Sequence, residues 1–295
     1  MQRLRHAGLL KNRRLLLCRS LPEPWVAWLE RHRGELGSLY YLIDDDIGAA
    51  AEDAALPERY RQRMAGVARL QPRLLALSDA VVASSGQLAE RFSHSNVQVL
   101  TPPLLAPLPA LDHLAQPPSS NHPWQIGFYG TRAHLADLEH IGPALAAVQN
   151  GRNDTRLEIM LGEYTLQALA TLPRTHTPTP MAWPAFQAYQ RRQRVHIGLA
   201  PLWPTAFNAG KSFIKFLDIA AMGGVGVYSN RYPYTEVVHN GENGLLVGDG
   251  PDQWQAAITW LLENPAHAAR MAHQAAADAR RIGRFERAAE FWRNL

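Results

Sequence analysis

Residues 208–222 read NAGKSFIKFLDIAAM and run straight into residues 223–229, GGVGVYS. Asn208-Ala209-Gly210 is turn-like, and Asn208 or Ser212 is placed to cap a helix predicted over about Lys211–Met222. Phe213, Ile214, Phe216, Leu217, Ile219 and Ala220 supply its apolar part. Lys211, Lys215 and Asp218 fall at i, i+4 and i+7 and line one face. A helix N-terminus presents N–H groups and the positive end of the macrodipole, so two ammonium groups there suit a diphosphate. Asp218, about two turns further in, is placed to accept hydrogen bonds from a ribose diol. A solvated lysine–aspartate stripe explains the spacing equally well. Two features favour a ligand: little else on the helix is polar, and it leads directly into a buried-looking glycine-rich strand. The basic composition sharpens the point, because only three of the 30 Lys and Arg residues are lysines and two of them lie here.

Working outward, short apolar runs alternate with helical patterns, which implies parallel sheets. Arg14–Arg19, Ser38–Ile43, Ala80–Ser84 and Val97–Thr101 read as strands, with helices at Trp25–His32, around Glu58–Leu77 and at Gly86–Phe92. Residues 101–123 hold seven of the 21 prolines, which denies them helix and central strand alike. Beyond them Gln125–Tyr129, Leu157–Leu161, Val195–Pro201 and Gly224–Ser229 read as strands. Leu135–Gln149, Asp252–Glu263 and Pro265–Asn294 read as helices. The expected boundaries are an abbreviated domain over 1–105, a proline-rich linker over 106–123, a second domain over 124–280, and a C-terminal helix over 281–295 that packs back on the first domain.

At 46% hydrophobic and 19% charged residues, the 295-residue chain is a globular αβ protein. Its single cysteine, Cys18, excludes an internal disulfide and a thiolate metal cluster, and reads as core. No apolar run reaches the ~18 residues of a membrane span, and basic residues interrupt the N-terminal apolar stretches, so neither an anchor nor a signal peptide is expected. There is no GxSxG, HExxH or P-loop; Gly210-Lys211-Ser212 ends like a P-loop, but Thr205 stands where the first glycine belongs. The arginines at 280, 281, 284 and 287 alternate with Glu286 and Glu290, which reads as a packed amphipathic helix rather than a nucleic-acid surface.

The stretch 208–247 resembles the donor-binding half of the group 1 glycosyltransferases, the retaining GT-B type. Pro233–Val247 matches that family's P-x-x-E-V-V-x-x-G-x-N-G-L-L-V stretch, and Asp218 falls on the second acid of its two-carboxylate motif. The first acid would fall at Gly210, so the chain departs there. Asn208, Lys211 and Ser212 instead reproduce an N-x-x-K-S variant. Residues 126–138, IGFYGTRAHLADL, resemble the strand and glycine turn that open the family's donor domain, and His196–Leu202 resembles its A-D-I-x-L-A-P-L strand, with His196 in place of aspartate.

The resemblance implies an α/β chain of two Rossmann-like domains facing a cleft, the N-terminal one abbreviated, that moves a sugar from a nucleotide-sugar donor to an acceptor hydroxyl. It implies donor contacts from Gly130, Thr131, Arg132, His134, Asn208, Lys211, Ser212, Lys215, Asp218, Tyr234, Thr235 and Glu236. Lys211 would also stabilise the leaving diphosphate. Retention, a hexosyl or deoxyhexosyl group, and a place in bacterial surface polysaccharide or glycoconjugate synthesis go with it. No metal and no cofactor beyond the donor are expected.

Asp44-Asp45-Asp46 closes the strand Ser38–Ile43, where α/β proteins place ligands. An acceptor-facing catalytic role is preferred, with a divalent-metal set and a helix N-cap as the alternatives. The acceptor would be a glycan or lipid-linked, and no nucleic acid is expected. The location would be cytoplasmic, with a peripheral contact at the inner membrane face through Arg3, Arg5, Lys11, Arg13 and Arg14, and a homo-oligomer stays open. A non-catalytic nucleotide-sugar-binding subunit or degenerate homologue, and a metal-dependent GT-A enzyme using Asp44–Asp46, are the rival readings.

Overall fold

The computed structural model describes Leu10 and residues 12–295, which divide into two α/β units. The first takes the described residues up to Thr101 together with Pro204–Ser212, and the second takes Pro102–Trp203 with Phe213–Leu295. Of the N-terminal basic residues, Arg3, Arg5 and Lys11 lie outside the described residues, while Arg13 and Arg14 are exposed.

The first unit holds a parallel sheet in the order β1-β2-β3-β4: Leu15–Cys18, Leu39–Ile43, Ala80–Ala83 and Val97–Val99. The inner strands read LYYLI and AVVA and are almost wholly buried, as strands covered on both faces must be. A 20-residue helix, Glu58–Leu77, fills the long crossover from β2 to β3, and Ile47–Glu52 precedes it. Cys18, expected in the core, is exposed: β1 is an edge strand, and only Leu17 of its four residues is buried.

The second unit holds six parallel strands in the order β10-β9-β8-β5-β6-β7. These are Leu245–Val247, Val225–Ser229, Ile197–Ala200, Trp124–Phe128, Thr155–Ile159 and Thr175–His176. Numbered within the unit, the order is 3-2-1-4-5-6, the doubly wound Rossmann arrangement. One face packs Trp124, Ile126, Phe128, Leu157, Ile197 and Leu199 against the helices Leu135–Gly151 and Pro251–Glu263. On the other face Gly127, Gly198 and Gly226 lie side by side in register across β5, β8 and β9. A Cβ on Gly198 would stand 2.5 Å from Ile219 of the helix Ile214–Ala221. Cβ atoms on the other two would run into the rings of Tyr129 and Tyr228. This glycine row lets the helix Ile214–Ala221 lie close to the sheet, and that helix carries Lys215 and Asp218.

The proline-rich segment contains no strand and only the short turn Asp112–Leu114, as its prolines require. It is laid on the second unit. Leu111 and Leu114 enter the core, Leu104 N–H donates to Gly283 O at 2.7 Å, and the Trp124 indole N–H donates to Gln116 O at 2.9 Å. The same crossing breaks the C-terminal helix, expected as one rod, into Pro265–Ile282 and Phe285–Asn294. A Cβ at Gly283 would sit 2.9 Å from Leu104, so the chain turns there to admit the segment. In the final helix only Ala288 is buried and Phe285 is 60% exposed.

His113 and His196 help to fasten the segment below the sheet, their rings 5.0 Å apart. The Gln125 N–H donates to His196 Nδ1 at 2.9 Å, and the indole of Trp124 stacks on the same ring. Burial and the neighbouring histidine push His196 down to about 4, and burial lowers His113 as well. An unfolded histidine takes its proton near pH 6.5, whereas the folded His196 ring stays neutral until about 4. Its contribution is therefore complete above pH 6.5 and is lost as pH falls through that window, to about 3 kcal/mol in full. Urea midpoints measured from pH 7.5 to 4 should fall accordingly, and less steeply in His196→Gln.

Asn243, within the matched 233–247 stretch, holds a turn together. Asn243 is fully buried: its Oδ1 accepts the His239 N–H at 2.8 Å, and its Nδ2 donates to Val237 O and Asp278 Oδ2, both at 3.0 Å. Asn243→Ala should cost about 3 kcal/mol by stranding these partners, read as a lower urea midpoint.

Candidate functional site

Strand order reverses between β5 and β8, and the crevice at the carboxyl ends of such a pair is where doubly wound sheets bind ligands. The loop after β5 is Tyr129-Gly130-Thr131, followed by the single turn Arg132–His134; Pro201–Trp203 follows β8. Asp137, 3% exposed, ties the two together. Its Oδ2 lies 2.7 Å from His134 Nδ1, and its Oδ1 accepts the Trp203 N–H at 2.6 Å. A Cβ at Gly130 would stand 2.5 Å from the Phe128 ring, so the loop carries no side chain there and its backbone stays approachable.

Lys215 lies in the first turn of Ile214–Ala221 and reaches the same strand end. Its ammonium donates to the Tyr129 carbonyl and lies 3.3 Å from Asp218 Oδ2. Gln190, 2% exposed on the helix Trp183–Arg192, donates to Asp218 Oδ1 at 3.0 Å. The carboxylate is thus oriented by two donors, and the ammonium remains partly open to solvent, 26% exposed. A cation fixed over a strand end beside a loop with glycine at its centre can neutralise a diphosphate.

Lys211 does not share this helix, contrary to the expected stripe. The helix begins at Ile214 with Phe213 at its N-cap, and neither Asn208 nor Ser212 caps it. Residues 204–212 belong to the first unit, where Thr205 caps the short helix Ala206–Ala209. There Lys211 lies over the Phe207 ring and its ammonium contacts Asp45 Oδ1 at 2.5 Å. Gly210, where the family's first acid would stand, packs within the first unit: a Cβ would meet Asp46 at 3.3 Å and Leu88 at 3.4 Å, and its carbonyl accepts the Ser85 hydroxyl at 2.9 Å.

The aspartate triplet divides three ways. Asp44 is 53% exposed and held in a two-pronged pair by Arg19, both contacts 2.6 Å. Asp45 is 8% exposed, between Arg19 at 2.8 Å and Lys211. Asp46 caps Ile47–Glu52 by accepting the Ala49 N–H at 2.9 Å. The three acids do not converge on one point, and among the described residues no group of three His, Cys, Asp or Glu is placed to hold a metal ion. Arg19 adopts φ +64°, a left-handed backbone that costs a non-glycine residue about 1 kcal/mol or more. Its pairing with Asp44 raises its pKa and holds it in place.

Among the remaining candidates, Thr235 and Glu236 are exposed, with the Glu236 pKa raised by partial burial. Tyr234 is 3% exposed and packs against Tyr228, ring centroids 5.0 Å apart. Asn208 is 4% exposed within the first unit, and Ser212 is half-buried. Arg19, Asp137 and Gln190 were not singled out from the sequence. The only signal for Arg19 is its place at the carboxyl end of a parallel strand, and for Asp137 its place one turn into the helix after β5.

No family model and no curated protein matches the sequence. Solved structures do match over nearly the whole chain. Sucrose-phosphate synthase from Thermosynechococcus elongatus superposes with a TM-score of 0.71 at 14% identity, over 99% of this chain and 75% of that one. HepE from Anabaena, in complex with UDP and glucose, gives 0.65 at 13%, over 92% and 74%. TarM gives 0.63 at 9%, over 99% of this chain but 57% of its own. The protein therefore has the α/β fold of the GT-B glycosyltransferases, with two parallel sheets, the second in Rossmann order. Among the described residues no helix is long and apolar enough to cross a membrane.

Proposed function

We propose that the protein is a glycosyltransferase whose second unit binds a nucleotide-sugar donor and whose first unit recognises the acceptor. The observation that carries this reading is the Lys215 ammonium, fixed at the carboxyl end of β5 beside the Tyr129–Arg132 loop, at the switch point of a Rossmann-ordered sheet. Solved proteins of this fold hold UDP and UDP-glucose, which supports the same class of donor here.

In the reaction the bond from the anomeric carbon to the phosphate oxygen breaks, a bond to the acceptor oxygen forms, and the acceptor hydroxyl's proton passes to the departing diphosphate. Negative charge grows on the leaving diphosphate. Lys215 supplies fixed positive charge there, Arg132 in the turn after β5 adds a second cation, and the Gly130-Thr131 backbone lets the phosphates approach. Asp218, oriented by Gln190 and Lys215, keeps lone pairs for the ribose hydroxyls. On the acceptor side Asp44 is the exposed acid that can accept a hydroxyl proton in a hydrogen bond. Asp45 is held by Lys211 and Arg19, and Asp46 serves as a helix cap.

The proposal extends to a reaction without metal, with retention, in surface polysaccharide or glycoconjugate synthesis. Cations at the diphosphate support the first point, and the motif resemblance of 208–247 supports the others. Release of nucleoside diphosphate from a panel of nucleotide sugars, with and without EDTA, tests it. Release should occur with at least one sugar and survive EDTA. A requirement for added metal would refute metal independence, and no release from any donor with any acceptor would refute the transferase reading.

A further inference from the structure

The turns after β5 and β6 bring Arg132 and Tyr164 together. The guanidinium carbon of Arg132 lies 4.3 Å from the Tyr164 ring centroid, and the ring is 40% exposed. Tyr164 stands on an anchored turn, Gly162–Tyr164. Gly162 has φ +54° and donates its N–H to Pro178 O at 2.9 Å; a Cβ there would lie 3.0 Å from the Thr179 backbone. The turn after β6 is therefore pressed onto the segment after β7, and the tyrosine is presented from fixed backbone.

In a sheet of this order the half formed by β5, β6 and β7 is a mononucleotide-binding half: phosphate lies over the loop after its first strand, and the nucleoside extends over the strands beyond. Tyr164 stands at the carboxyl end of the second of those strands, with Arg132 on the phosphate side. Resting on the donor-binding reading, we infer that the Tyr164 ring is the stacking platform for the base of the nucleotide, and that the Arg132 guanidinium covers this face until the donor displaces it toward the diphosphate.

The exchange is downhill on both sides. An exposed cation–π contact contributes about 0.5–1 kcal/mol, whereas a base on an aromatic ring contributes about 1–3 kcal/mol. The displaced guanidinium gains a charge-assisted pair with phosphate. A tyrosine face accepts any base, so Tyr164 sets affinity for the nucleoside rather than the choice among bases.

Isothermal titration of the full chain with uridine, guanosine, adenosine, cytidine and thymidine diphosphates, and with inorganic pyrophosphate, separates the parts. Tyr164→Ala should bind the preferred nucleoside diphosphate ~10- to 100-fold more weakly, with pyrophosphate binding unchanged and Tyr164→Phe restoring affinity. Arg132→Ala should weaken both ligands. Unchanged nucleoside diphosphate affinity in a folded Tyr164→Ala overturns the platform, and unchanged pyrophosphate affinity in Arg132→Ala overturns the exchange. If the unsubstituted protein binds none of the diphosphates, the donor reading fails and this inference falls with it.

Discussion

On the proposed transferase reading, Lys215→Ala should lower kcat/KM for glycosyl transfer by about 100-fold or more while leaving the fold intact. The side chain sits at the surface of the strand end, 26% exposed, and its partners are a backbone carbonyl and a carboxylate that Gln190 also holds. Removing it therefore strands little buried polarity, and the melting temperature should shift by only a few degrees. The catalytic loss comes from leaving the departing diphosphate without its nearest fixed cation. Lys215→Arg should recover part of the activity, because the charge returns on a longer and differently shaped donor. Steady-state kinetics with the preferred donor decide the matter. An alanine variant as active as the unsubstituted protein would remove Lys215 from the proposed chemistry.

Gly198→Val should destabilise the protein by about 2–4 kcal/mol. Gly198 is the middle of the registered glycine row, and a Cβ alone would stand 2.5 Å from Ile219. The clash is with Cγ1, Cγ2 and Cδ1 of a buried, β-branched residue, so relief requires the helix Ile214–Ala221 to move off the sheet. That movement carries Lys215 away from Tyr129, so the folded fraction should also bind donor poorly. Gly66 is the control, since nothing lies within 4 Å of a Cβ there. Gly66→Ala lies inside the helix Glu58–Leu77 and should gain a few tenths to 1 kcal/mol. Opposite signs for the two glycine substitutions, read from urea midpoints, separate close packing from backbone entropy.

The parallel sheets could be read from the chain because each buried strand is a short apolar run closed by turn residues. LYYLI, AVVA and VGVYS announce themselves, and the helix Glu58–Leu77 follows directly from its periodicity. The helix Trp183–Arg192 is polar and opens behind a run of threonines and prolines, so nothing local marks it, and Gln190 went unseen with it.

The division of the lysines was hidden for another reason. Spacing placed Lys211 and Lys215 on one helix, but residues 204–212 pack with the first unit, where Asp45 and Phe207 hold Lys211. Tertiary pairing between residues 166 positions apart leaves no trace in a helical repeat. Arg19 is likewise a matter of register, since β1 lies beside β2 and the residue just after β1 reaches the first aspartate beyond Ile43. The motif around 233–247 was the most legible stretch, yet Asn243 within it builds a turn and touches no proposed ligand.

Thermal denaturation of the protein across a panel of nucleotide sugars tests donor binding at the β5–β8 crevice most directly. A ligand that binds only the folded state raises the melting temperature by mass action. At least one nucleotide sugar should raise it by several degrees, and the rise should vanish in Lys215→Ala. No shift with any nucleotide sugar, or the same shift in the alanine variant, would contradict donor binding at this site.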